Sequence, residues 1–95
     1  MSKPRIVKDY DKVPDDVLAL VKLEYPYGFG NKLILFKNAQ GKFVSALPFE
    51  TEDKYYLIRM TAAEAQEIIE EDDDYDEDGT LTKEAIEKLE DEIEE

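Results

Sequence analysis

The sequence predicts an α+β fold, with an N-terminal helix, a three-stranded antiparallel meander and two acidic C-terminal helices. Three observations point to it. Residues 32–60 gather most of the large apolar side chains into three short runs of aromatic and branched residues, which suit a pleated, half-buried surface. Residues 14–24 carry apolar side chains at helical spacing behind a proline. Thr61 and Glu64 form a helix-starting capping box.

Residues 1–12 are polar and mixed in charge, with Ile6, Val7 and Tyr10 as the only apolar anchors, and read as an irregular arm. At Pro14 the pattern changes. Proline suits the first helical turn, and Asp15 and Asp16 complement the positive end of the helix dipole. A helix from Pro14 to Glu24 follows, with Val17, Leu18, Leu20 and Val21 on its apolar face, and Pro26 stops it. In the linker Tyr25–Asn31, Tyr25 and Phe29 suit plugging the open end of the core, because aromatic side chains mostly serve burial. Tyr27 is the one expected to stay exposed and available for recognition.

The strands are read at Lys32–Lys37, Lys42–Leu47 and Lys54–Met60. Leu35 is taken as a core residue of the first. Asn38-Ala39-Gln40-Gly41 suits a hairpin whose last loop residue takes a positive φ. The helix begun at Thr61 runs to about Glu71, with Ala62, Ala65, Ile68 and Ile69 inward, and Lys83–Glu95 forms a second, with Ile86, Leu89 and Ile93 on one stripe. The chain is expected to be one small domain over residues 1–95, comprising an arm (1–12), a helix-plus-sheet body (13–60) and an acidic helix-loop-helix (61–95).

Charge divides the chain. Residues 1–60 carry a net charge of +2, whereas residues 61–95 carry −15. Such an acidic third is repelled by phosphate backbones and anionic lipid, which argues against direct nucleic-acid or membrane binding and for a basic protein partner, including one that itself binds nucleic acid. Glu70, Glu71, Asp72, Asp73 and Tyr27 are the side chains expected to meet it. The N-terminus lacks the apolar stretch of a secretory signal, and no segment approaches the roughly 18 apolar residues of a membrane span, so a cytoplasmic location is expected.

The sequence offers little for catalysis. It contains neither cysteine nor histidine, which removes thiolate chemistry, the most versatile general base and the commonest zinc ligands. Its paired carboxylates lie in runs of like charge beside solvent, without the apolar pocket that separates the pKa values of an acid and a base. Gly28-Phe29-Gly30 precedes a strand and not a helix, so it is no phosphate loop. A non-enzyme without a cofactor is expected.

One motif carries chemistry. In Asp74-Tyr75-Asp76-Glu77-Asp78-Gly79-Thr80-Leu81-Thr82-Lys83-Glu84-Ala85, carboxylates fall at positions one, three and five, and Gly79 makes the turn at six. These twelve residues resemble an EF-hand calcium loop. The resemblance implies calcium ligands at Asp74, Asp76 and Asp78 and the carbonyl of Thr80. It departs from the pattern at its last position, where Ala85 replaces the bidentate Glu. Glu84 comes one residue early, which on a helix is about 100° of rotation away. Only weak calcium binding is implied. The plainer reading is an acidic turn in which Asp78-Gly79 bends the chain and Thr82 caps the last helix.

Three readings of function follow. The first is a small interaction module that meets a basic protein through its acidic third. The second is a weak divalent-cation site that orders the helix-loop-helix. The third is a designed or consensus sequence without a biological task, suggested by KEAIEKLEDEIEE and by the absence of Cys, His and Trp.

Overall fold

The computed structural model describes residues 3–93. It is α+β, but its sheet has four strands of mixed direction: β1 (Arg5–Asp9), β2 (Ile34–Lys37), β3 (Phe43–Glu50) and β4 (Tyr55–Arg59), in the order β1-β4-β3-β2. Three helices, α1 (Asp15–Glu24), α2 (Ala62–Glu71) and α3 (Lys83–Ile93), complete the chain. Residues 94 and 95 of the expected last helix lie outside the described residues.

The expected three-stranded antiparallel meander is therefore corrected. Residues 5–9, read as an irregular arm, form an edge strand parallel to β4, with Ile6 opposite Tyr56 and Val7 opposite Leu57. The helix thought to open the fold follows this strand. Arg5–Asp9 is short and its apolar residues, Ile6 and Val7, are adjacent and not alternating, so the sequence carries no strand period there, and its backbone finds its partners on β4, some fifty residues later. The antiparallel pairings β2 with β3 and β3 with β4 match the expectation. Gly41 takes φ +81° at the hairpin, and the Asn38 side chain accepts from the amides of Gln40 and Lys42.

Strand β3 also runs past Leu47, its expected end. Pro48 is tolerated because β2 pairs with β3 only as far as Ala46, so the missing N–H leaves no ladder bond unmade. The Pro48 carbonyl accepts from the Tyr25 hydroxyl instead.

All three helices lie on one side of the sheet. Ala19 and Val21 of α1, Ala65 and Ile69 of α2, and Ala85 and Leu89 of α3 share one cluster with Leu47, Phe49, Tyr56 and Ile58. Ala46 and Leu57, which alternate onto the opposite face, are buried but stand outside that cluster. The Thr61–Glu64 capping box forms in both directions, at 3.1 and 2.9 Å. Leu35 corrects another expectation, since it is 69% exposed and is not a core residue. No helix among the described residues is long and apolar enough to cross a membrane.

Candidate interaction site

The acidic loop between α2 and α3 is bound to the rest of the molecule, and a lysine binds it. Lys22 lies one helical turn beyond Leu18 on the apolar side of α1, and it is buried. Its ammonium reaches Asp72 Oδ2 and Asp74 Oδ2, each at 2.7 Å, and stands 5.9 Å from the centre of the Tyr75 ring. The second oxygen of Asp74 takes Lys88 of α3 at 2.9 Å. Burial works against charge on both Lys22 and Asp74, but the hydrogen bonds of Lys22 to Asp72 and Asp74, and those of Asp74 to Lys22 and Lys88, outweigh it. The Lys22 pKa consequently sits above the ordinary lysine value and that of Asp74 below the ordinary carboxylate value.

Backbone and aromatic contacts complete the docking. The Tyr75 hydroxyl donates to the carbonyl of Tyr25 at 3.0 Å, and the Leu81 amide donates to that of Pro26 at 2.6 Å. Tyr75 and Leu81 bridge across the turn, while Phe29 is wholly buried, with the rings of Tyr10, Tyr25 and Tyr75 each centred 6.1 Å away. Burial, reinforced by the charges of Asp72 and Asp74, pushes the Tyr10 pKa up to about 12. The Tyr75 hydroxyl is pushed upward as well, first by burial and then by the proximity of Tyr10 and the same carboxylates.

This docking creates a cleft of about 610 Å³ between the Tyr27–Gly30 loop, α2 and the acidic turn. Ala62, Ala65 and Ile69 form an apolar wall. Glu70, Asp76, Glu77 and Asp78 supply acidic groups around it, and Tyr27, 79% exposed, stands at its edge. The carboxylates line one side of an apolar recess, an arrangement suited to a long cationic side chain whose stem packs while its head stays near negative charge. No protein-family model, curated protein or solved structure matches the chain.

Of the side chains expected to meet a partner, Tyr27 and Glu70 line this cleft, whereas Glu71 and Asp73 are exposed outside its lining. Asp72 turns inward to Lys22. Lys22 was not singled out in the sequence, although a lone lysine one turn from Leu18 and beside Val21 was its available signal.

The structure does not gather Asp74, Asp76, Asp78 and Thr80 around a point. Both oxygens of Asp74 are held by lysines. Asp76 Oδ1 accepts from the amides of Asp78 and Thr80, and the Thr80 carbonyl accepts from the Asp76 amide. Among the described residues no three acidic side chains are placed to hold a metal ion. Gly79 does take a positive φ of +80°, and Thr82 does cap α3 by accepting from the Ala85 amide at 3.1 Å.

Ala85 itself is 4% exposed on the inner side of α3. Supplying the missing EF-hand ligand by Ala85→Glu therefore places a carboxylate in the core. The expected result is a loss of about 2–4 kcal/mol of stability in urea titrations, without any calcium-dependent recovery. A variant that calcium restores to the stability of the parent would show that the loop can open into a coordination sphere.

Proposed function

We propose that the protein is a non-catalytic interaction module that receives a lysine- or arginine-bearing segment of a basic partner in the cleft beside Tyr27. The observation that carries this reading is the coincidence, in one recess, of an apolar wall from α2, four carboxylate side chains and an exposed aromatic ring. Each feature answers a part of a long basic side chain. Ala62 and Ile69 meet its methylene stem, Glu70, Asp76 and Asp78 face its charge, and the Tyr27 ring offers a cation–π contact. The −15 charge of residues 61–95 adds a field that draws basic partners in and turns nucleic acid away.

Fluorescence anisotropy with short labelled peptides tests it on the full chain. A peptide alternating Arg or Lys with apolar residues is expected to bind, and its acidic counterpart to fail. Glu70→Lys or Asp78→Lys should weaken binding about three- to tenfold, since reversing a rim charge both removes an attraction and adds a repulsion. Tyr27→Ala should weaken it about two- to fivefold, the worth of an exposed cation–π contact. Affinity should fall as salt rises, because the rim charges are solvent-exposed and screened within about 8 Å at physiological ionic strength. Equal binding of acidic and basic peptides, or indifference to all three substitutions, would sink the proposal.

A further inference from the structure

A second recess lies on the other flank of α2, at the end of the sheet where β4 stops. Strand β3 pairs with β4 only from Ala46 onward, so Phe43, Val44 and Ser45 run past Arg59, the last residue of β4, with β2 beside them. The chain turns away from the sheet at Met60, whose amide donates to the Ser45 carbonyl at 3.3 Å, and enters α2. Phe43 and Ser45 alternate onto the same face as the buried Leu47, and Leu35 stands opposite Ser45. Leu35 and Phe43 thus point to the helix-bearing side of the sheet, beyond the helices that cover Leu47. They are 69% and 68% exposed.

Between this overhang and α2 runs a groove of about 780 Å³. Leu35, Phe43, Met60 and Ile68 are its apolar lining, and Asp9, Asp11, Glu64 and Glu67 are its carboxylates. Arg59 lines it too, but its guanidinium is taken up by Asp9 at 2.8 Å. Glu64 gives one oxygen to the Thr61 amide, and among the described residues no cation pairs with Asp11, Glu64 or Glu67. Lys37 lies over the Phe43 ring at 5.6 Å but is not part of the lining.

We propose that this groove binds a basic amphipathic helix of a partner protein, a site separate from the cleft beside Tyr27 and selective for a different ligand. The apolar stripe of that helix packs on Leu35, Phe43, Met60 and Ile68, and its Lys or Arg side chains turn toward Asp11, Glu64 and Glu67. Charge complementarity selects this occupant. Three carboxylates that no cation answers, beside an exposed apolar surface, suit a ligand that is apolar along one face and basic along its border. Lys37, at the hairpin margin, repels basic side chains there and so directs them to the α2 side. An acidic segment or a nucleic acid meets the carboxylates with like charge. A second copy offers no matching helix, since α1, α2 and α3 each contain more acidic than basic residues.

The test is fluorescence anisotropy on the full chain with a labelled synthetic helix of Leu and Lys whose leucines recur at helical spacing. Two control peptides accompany it: the same residues reordered so that the leucines share no face, and a counterpart with Glu in place of Lys. The ordered peptide is expected to bind and the acidic one to fail, while the reordered one binds about tenfold more weakly, having no apolar stripe to lay against the groove. Leu35→Glu and Phe43→Glu should each weaken the ordered peptide about tenfold, as loss of a central anchor does. Both side chains are exposed, so the circular dichroism spectrum should stay unchanged. Asp11→Lys/Glu67→Lys should weaken binding about three- to tenfold. Tyr27→Ala should leave it as it is. Failure of the ordered peptide to bind, equal binding of the reordered one, or indifference to Leu35→Glu and Phe43→Glu overturns the proposal. So does a loss on Tyr27→Ala, which places the peptide in the other cleft, or self-association of the parent chain that Leu35→Glu abolishes, which gives the groove to a second copy. The cleft beside Tyr27 is scored by the alternating peptide and by Tyr27→Ala, so either proposal can fail alone.

Discussion

Phe29→Ala is expected to destabilise the protein by about 3–5 kcal/mol in urea denaturation, the range for deleting a buried aromatic ring. Phe29 is wholly buried and is the one ring that touches Tyr10, Tyr25 and Tyr75, which come from the segment after β1, the end of α1 and the acidic loop. Its removal leaves a cavity that three separate segments must collapse to fill, and two of them are tethered by hydrogen bonds, Tyr25 to the Pro48 carbonyl and Tyr75 to the Tyr25 carbonyl. Phe29→Leu should cost less, since most of the volume remains. A loss below about 1 kcal/mol for Phe29→Ala would mean that the linker does not close the core and that the docked position of the acidic loop is wrong.

Lys22→Met should cost about 2–4 kcal/mol, at or below the 3–5 typical of breaking a buried ion pair, because the carboxylates keep some solvent and Asp74 keeps Lys88. Methionine preserves the length of the side chain, so the loss reports charge and not volume. Adding Asp72→Asn and Asp74→Asn to Lys22→Met should recover part of the loss, because the uncompensated charges are then gone. If the triple variant is no more stable than Lys22→Met alone, the ion pairs are not what holds the loop.

The same contacts fix a pH dependence. The folded-state pKa of Asp74 is depressed, so its contribution is present above pH 3.8, its ordinary value, and is lost as the pH falls through the folded value. The folded-state pKa of Lys22 is raised, so its contribution is present below pH 10.5 and disappears as the pH rises through the folded value. Tyr10 adds to the alkaline loss, since its hydroxyl is kept protonated in the fold and the benefit fades from pH 10 to about 12. Stability measured from pH 2 to 12 should therefore fall at both ends, and Lys22→Met should flatten the acid limb relative to the parent.

The features legible in the sequence are those decided within a few residues. The Thr61–Glu64 capping box, the Thr82 cap, the positive φ of Gly41 and the end of α1 before Pro26 were all readable, because the groups that satisfy them are neighbours along the chain. The acidic character of the candidate site was equally visible, since charge density follows from composition. Its shape was not. Lys22 meets Asp74 across 52 positions and Tyr75 meets Tyr25 across 50, so the loop read as solvated is instead docked, and Asp72 and Asp74 face a lysine in place of a partner or a cation. Tertiary structure likewise decided that Arg5–Asp9 is a strand, because the backbone edge that satisfies it belongs to β4, some fifty residues away. It decided too that Leu35 is exposed, since burial depends on how far the helices reach over the sheet, and no local pattern of apolar residues encodes that distance.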